Sequence, residues 1–210
     1  ADIQVLKDML ARYNAGMMSV CVGANFIYKD ALEDEMHHMK AVATLAEQVG
    51  VSYVAFCGGA IRGAGIKEGD YKLLAEGLAE ASKVFADCGI ETSYHPHLGS
   101  MAEKPEQIDK LFAQTDIKIC PDLAHLAAGG GDPLAIVKKY YDRISFVHLK
   151  DLNQDGFAPL GTGTIDLEGV LAFLKEQGYT GDYLVEVDGF LGDPTEACKV
   201  SYEYLKGKLI

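Results

Sequence analysis

The sequence predicts a parallel α/β fold, a barrel of strands each followed by a covering helix, and three observations point to it. Short, nearly continuous apolar runs alternate along the whole chain with segments of helical periodicity. Polar side chains able to bind metals or move protons end one apolar run after another. No proline- or serine-rich linker interrupts the alternation over 210 residues. An open doubly wound sheet and a closed barrel share the first pattern. The second favours the barrel, whose loops at one end of the strands build a common site.

The elements follow in order. Residues 2–15 place Ile3, Leu6, Leu10 and Tyr13 on one helical stripe, with Asp2 as its cap. MMSVCVGANFIY is the first strand, running into a loop. Residues 31–49 repeat the helix through Met36, Met39, Val42, Ala43, Ala46 and Val49. VSYVAFCGG is the second strand and GGAIRGAGIKEGD its loop, before a helix over 70–88 carrying Tyr71, Leu74, Leu78, Val84 and Phe85. GIETSYHPHLGS is the third strand with its loop, and a helix over 105–114 follows. DIKIC and RISFVHL are the fourth and fifth strands, separated by a glycine-rich loop and the helix DPLAIVKKYY. After HLKD a polar excursion, LNQDGFAPLGTGTID, leads to a helix through Val170, Leu171 and Leu174 capped by Asp166. GDYLVEVD is the sixth strand, and a final helix covers roughly 194–207.

Six strand–helix units preceded by a helix fall short of the eight of a full barrel. Two more strands and the helix joining them take roughly 40 residues at ordinary element lengths. The expectation is therefore a TIM-type barrel without its first βαβ unit, one domain over residues 1–210. Its open strand edges favour a homo-oligomer.

Composition narrows the partners. With 19 basic against 31 acidic residues the formal charge is −12, which repels a phosphate backbone and argues against nucleic acid. No apolar run approaches the roughly 18–20 residues that span a bilayer, so no membrane is expected. The amphipathic N-terminal stretch carries acidic residues, unlike a secretory signal. Five scattered cysteines, an odd number with no CxxC pair, read as free thiols of a cytoplasmic protein. A small-molecule substrate fits these constraints.

The residues that carry chemistry sit at strand ends. Period-two alternation puts His95 and His97 on one face at the carboxyl end of the third strand. Asp122 ends the fourth, His148 the fifth and Glu186 the sixth. Such a mixed nitrogen and oxygen set suits Mn²⁺ or Co²⁺, with Zn²⁺ or Fe²⁺ also accommodated. Lys150, two residues after His148, shares its inward face. His125, three residues after Asp122, either serves a ligand or substrate or caps the following loop. Arg62, in GGAIRGAG, is placed to grip a hydroxyl, carboxylate or phosphate. Without a full GxGxxG or Walker pattern the phosphate signal is weak.

YHPHLGS, PDLAHLAAGGGDPLAIVKKYYDRISFVHLKD and GTGTIDLEGVLAFLKEQGYTGDYLVEVD together resemble the xylose-isomerase-like barrels, a superfamily of sugar isomerases, epimerases and dehydratases. Within it they are most similar to the inosose dehydratases of inositol catabolism. The resemblance runs over residues 1–207 and is strongest from 90 to 190. It implies metal ligands at Asp122, His148 and Glu186. The fourth falls on His95, where the epimerases carry Glu, with His97 as the alternative. It also makes the first strand here the third of a full barrel.

With an imidazole in place of one of the epimerases' two glutamates, the implied chemistry is enolisation next to a carbonyl. Dehydration of a keto-inositol comes first and isomerisation or epimerisation of a sugar second. A truncated, non-catalytic metal-binding barrel is the remaining alternative. Glu186 is the implied base, Lys150 or His97 the acid, and His125 and Arg62 the substrate-binding groups.

Overall fold

β-Branched and aromatic runs need partner strands and apolar cover, and parallel pairing with crossover helices supplies them. The computed structural model describes residues 3–209, arranged as two units. The first contains the chain up to His95 with Gly99–Ala102 and Glu106–Lys118; the second contains Pro96–Leu98, Glu103–Pro105 and the chain from Ile119 onward.

In the first unit β1 (Ser19–Gly23), β2 (Tyr53–Cys57) and β3 (Glu91–His95) pair in parallel, with Ser19 opposite Tyr53 and Tyr53 opposite Glu91. Parallel neighbours require long crossovers. These are α2 (Leu32–Gln48) and α3 (Glu68–Ala86), which bury Met36, Met39, Ala43 and Ala46 from one and Leu74, Leu78, Ala81 and Phe85 from the other. Phe56, fully buried in mid-strand, meets Phe26 and Phe85 edge-on with centroids 6.2 and 5.7 Å away. Gly77 allows this packing, because a Cβ there would lie 2.2 Å from Phe26 Cβ. The amphipathic helix α1 (Ile3–Arg12) precedes β1, and α4 (Pro105–Phe112) turns Ile108, Leu111 and Phe112 inward. Asp2, expected to cap α1, lies outside the described residues.

The second unit is built on β5 (Val147–Leu149) and β8 (Tyr183–Val185), also parallel, with His148 opposite Leu184. Parallel bridges join Ile119 to Ile144 and Asp122 to His148, so the segment after β4 (Lys118–Ile119) runs alongside β5. Helices α6 (Pro133–Lys139), α7 (Leu167–Glu176) and α8 (Pro194–Leu205) surround a core of Val137, Val147, Leu149, Val170, Leu174 and Leu205. Asp132, Asp166 and Asp193 cap these three helices with side-chain oxygens on backbone N–H groups, the expected role for Asp166.

Four features differ from the sequence reading. The glycine-rich stretch after Asp122 opens with a helix, α5 (Leu123–Ala128), whose six residues are too few to show a period. The polar excursion folds into a hairpin of β6 (Asp151–Asn153) and β7 (Gly156–Ala158). β3 stops at His95, because Pro96 has no N–H to continue a ladder, so His97 is a loop residue and strand alternation does not carry to it. The five cysteines are not all free. The parallel register sets Gly23 opposite Cys57, two positions on from Cys21, and Cys21 and Cys57 form a disulfide with Cα atoms 6.2 Å apart. Cys88, Cys120 and Cys198 are thiols.

Candidate metal centre

Asp122 follows β4 and caps α5, and that cap orients its carboxylate. Oδ1 accepts the His125 backbone N–H at 2.9 Å. Oδ2 is thereby turned toward β5, 3.6 Å from His148 Nδ1 and 3.0 Å from Lys150 Nζ. His148 lies in β5, and period two carries Lys150 to the same side. Glu186 follows β8, held in register by its N–H on the Leu149 carbonyl at 3.2 Å. Its Oε2 sits 3.1 Å from His148 Nδ1 and 3.0 Å from Lys150 Nζ.

The ligand-capable atoms of Asp122, His148 and Glu186 lie within 4.8 Å of one another, so this group could hold a metal ion. Asp188, which shares the Glu186 face by alternation, places Oδ2 2.8 Å from Lys150 Nζ and 3.4 Å from His125 Nε2. Lys150 is fully buried with an ammonium group. The His97 ring lies against that of His125 with centroids 3.9 Å apart. Phe157, carried by the hairpin, meets His125 edge-on at 5.3 Å and lies under the Lys150 ammonium at 5.3 Å.

Burial and charge pull against each other here. Burial disfavours the protonated form of His148, yet hydrogen bonds to Asp122, Cys120 and Glu186 outweigh it and lift its pKa to about 11. Glu186 is held down to about 2, first by its hydrogen bond with His148, against burial, and then by Lys150. Burial also opposes the charge on Lys150, but Asp122, Asp188 and Glu186 together raise its pKa above the ordinary lysine value. His125 goes the other way: burial, reinforced by the Lys150 charge, lowers it to about 4. Its neutral ring can accept at Nε2, which lies 3.3 Å from Lys150 Nζ.

The structure thus brings Asp122, His148, Glu186, Lys150, His125 and His97 into the second unit, with His148 and Lys150 each pairing with both Asp122 and Glu186. His95, buried at the last position of β3, and Arg62 belong to the first unit. Arg62 donates through Nε to Asp70 at 3.1 Å and through Nη2 to the Ile27 carbonyl at 2.6 Å, with its guanidinium over the Tyr28 ring. Two residues escaped the sequence reading. Asp188 was legible by its spacing from Glu186, whereas Phe157 depends on a hairpin that no periodicity announced.

The profile of the xylose isomerase-like TIM barrel family matches residues 1–207. The chain belongs to that family. An inosose dehydratase of Clostridium beijerinckii is 29% identical, in a match that covers 99% of this chain and 81% of that protein. Among solved structures, a sugar phosphate isomerase/epimerase from Parabacteroides distasonis superposes with a TM-score of 0.81 at 21% identity, covering 97% of this chain and 80% of the other. The IolI protein, determined with a bound zinc atom, superposes with a TM-score of 0.78 at 18% identity, covering 100% and 82%. Such identities establish a shared xylose isomerase-like fold. They match the parallel α/β class read from the sequence.

Proposed function

We propose that this xylose isomerase-like protein is a metal-dependent enzyme of sugars or cyclitols that acts by enolisation next to a carbonyl. Dehydration of a keto-inositol is the specific reaction. The observation that carries this reading is the convergence of Asp122, His148 and Glu186, whose donor atoms lie within 4.8 Å of one another. The inosose dehydratase relative supports the reaction class, and the zinc of the IolI structure supports the metal. The mixed imidazole and carboxylate set fits Mn²⁺ or Co²⁺, and also Zn²⁺ or Fe²⁺. Asp122, His148 and Glu186 would hold the ion. When bound, it would supply Lewis-acid polarisation of the substrate carbonyl.

The rest is the work of the side chains. Glu186 takes the proton from the carbon beside the carbonyl. Lys150 gives a proton to the hydroxyl leaving the next carbon, which departs as water, with His97 as the alternative donor. His125, neutral at ordinary pH, orients a substrate hydroxyl. Epimerisation is the second reading, favoured by structural neighbours such as the Parabacteroides isomerase/epimerase.

The family match runs unbroken from residue 1 to 207 and supports reading the chain as one domain. Self-association is part of the proposal, supported by the exposed Val5, Met9 and Tyr13 along α1 and after it. The partner is a small molecule rather than nucleic acid, and no described helix is long and apolar enough to cross a membrane. A cytoplasmic setting is supported by the three free cysteines, while the Cys21–Cys57 bond runs against it.

The test begins with protein stripped by EDTA. Mn²⁺ or Co²⁺ at a hundred times Kd should stabilise it by about 2.7 kcal/mol, raising Tm by roughly 5–10 °C. Asp122→Ala should abolish the shift, and a keto-inositol should exchange its acidic carbon-bound proton with solvent deuterium. No metal-dependent shift and no exchange would overturn the reading.

A further inference from the structure

Lys150 does more than neutralise its surroundings, because of which oxygens it holds. Its Nζ lies 3.0 Å from Asp122 Oδ2, 3.0 Å from Glu186 Oε2 and 2.8 Å from Asp188 Oδ2. An ammonium has three protons, and three carboxylate oxygens already surround it. Asp122 Oδ1 is committed to the His125 backbone N–H at 2.9 Å. Oδ2 is the oxygen turned toward His148, so a metal shared with His148 would draw on the oxygen that pairs with the Lys150 ammonium. The same competition holds at Glu186 Oε2, which also faces His148. Asp188 differs, because it touches Lys150 and His125 but is not in the group of Asp122, His148 and Glu186. The Phe157 ring covers the ammonium at 5.3 Å, a side on which water would otherwise solvate it.

We propose that Lys150 is a tethered cation that clamps the site in the absence of metal and gives up Asp122 and Glu186 when metal loads, while Asp188 retains it. Metal affinity is then set against an internal competitor, and Asp188 acts as the anchor that lets the competitor step aside. Loading also transfers the ammonium from the ligand oxygens to Asp188, leaving it donors for substrate. This rests on the metal reading of Asp122, His148 and Glu186 and adds a positioning role for the Lys150–Asp188 pair.

The test is a double-mutant cycle on Mn²⁺ affinity, measured by calorimetric titration of EDTA-stripped protein, with melting curves recorded in EDTA. Lys150→Met should bind Mn²⁺ about tenfold tighter or more, since both the competition and the cation–cation repulsion are gone. It should also melt at a lower temperature in EDTA, because three carboxylates lose their common partner. Asp188→Asn should bind Mn²⁺ more weakly than the wild type. In the Lys150→Met background the Asp188→Asn substitution should have a clearly smaller effect than in the wild type, as its main route is through the lysine and only the contact with His125 and the direct charge effect remain.

Purely long-range charge effects would add across the two sites, and additivity overturns the proposal. So does a folded Lys150→Met protein that binds Mn²⁺ no tighter than the wild type. If Lys150→Met does not fold in EDTA, unchanged or tighter binding by Asp188→Asn has the same force. Absence of Mn²⁺ binding in every protein, the wild type included, would instead remove the metal reading itself and this inference with it.

Discussion

Replacing Asp151 by alanine should loosen the strap that follows the hairpin. The Asp151 carboxylate is buried and accepts four backbone N–H groups, from Leu152 at 2.8 Å, Gly161 at 3.0 Å, Gly163 at 2.9 Å and Ile165 at 3.2 Å. Hydrogen bonds to a charged acceptor contribute about 1.5–3 kcal/mol each. They are not additive, and the donors on the strap regain water once it lifts. A net loss of about 3–4 kcal/mol is therefore expected for Asp151→Ala.

Asparagine should rescue little. Oδ1 serves Leu152 and Ile165 while Oδ2 serves Gly161 and Gly163, so either orientation of the amide turns its NH₂ onto two backbone donors. Asp151→Asn should thus lose about 2–3 kcal/mol, more than half of the alanine effect. Urea unfolding in EDTA measures both, and amide hydrogen exchange locates the cause, since Gly161 and Gly163 should lose protection first. A cost under about 1 kcal/mol for alanine, or retained protection at those two glycines, would refute the reasoning.

Two further substitutions test the first unit. Gly77→Ala should destabilise by about 2 kcal/mol by urea unfolding, although alanine favours helix by about 1 kcal/mol, because Phe26 Cβ cannot rotate out of the way of the new methyl group. Asp70→Asn should cost about 2 kcal/mol at pH 7 by breaking the buried end of the Arg62 pair. Burial raises the Asp70 carboxyl, but the Lys67 N–H and Arg62 outweigh it and hold the pKa below the usual carboxylate range. With the folded value depressed, this stabilisation is fully present above about pH 4 and is lost as pH falls through the folded pKa. The gap between wild type and Asp70→Asn should then be flat from about pH 5 to 7 and narrow below about 4; a gap that does not change with pH would count against the pair.

What the sequence disclosed depended on how local the signal was. The alternation of strands and helices was legible because each element repeats its own period over many residues. Asp122, Lys150 and Glu186 were legible because each stands just past a strand, where a polar residue has no packing role to disguise it, and His148 because it is the one polar residue inside the short apolar strand β5. His97 was misread for a local reason as well, since extrapolating alternation through Pro96 assumes a ladder that proline cannot continue. Other features depend on distant register. Cys21 and Cys57 are 36 residues apart and become neighbours only when β1 and β2 pair. The hold of Asp70 on Arg62 depends on how a glycine-rich loop closes. α5 is shorter than two turns, and its cap, Asp122, had already been read as a ligand.

That double use of Asp122 shows how the site is held in place. One carboxylate oxygen starts α5 and the other faces His148 and Lys150, so the helix cap fixes the direction in which the ligand-capable oxygen points. The next stretch works by the same economy. His148 and Lys150 project to the site side, while Asp151, the very next residue, turns its carboxylate to the strap of residues 161–165. Alternation along β5 and into β6 thus separates the chemistry from its scaffold by a single residue. A one-residue register slip here would exchange a buried ammonium for a buried carboxylate among three acids. The strand pairing of β5 with β8, and the four N–H groups gathered by Asp151, both oppose that slip. The scaffold around Lys150 is therefore part of what gives the site its charge.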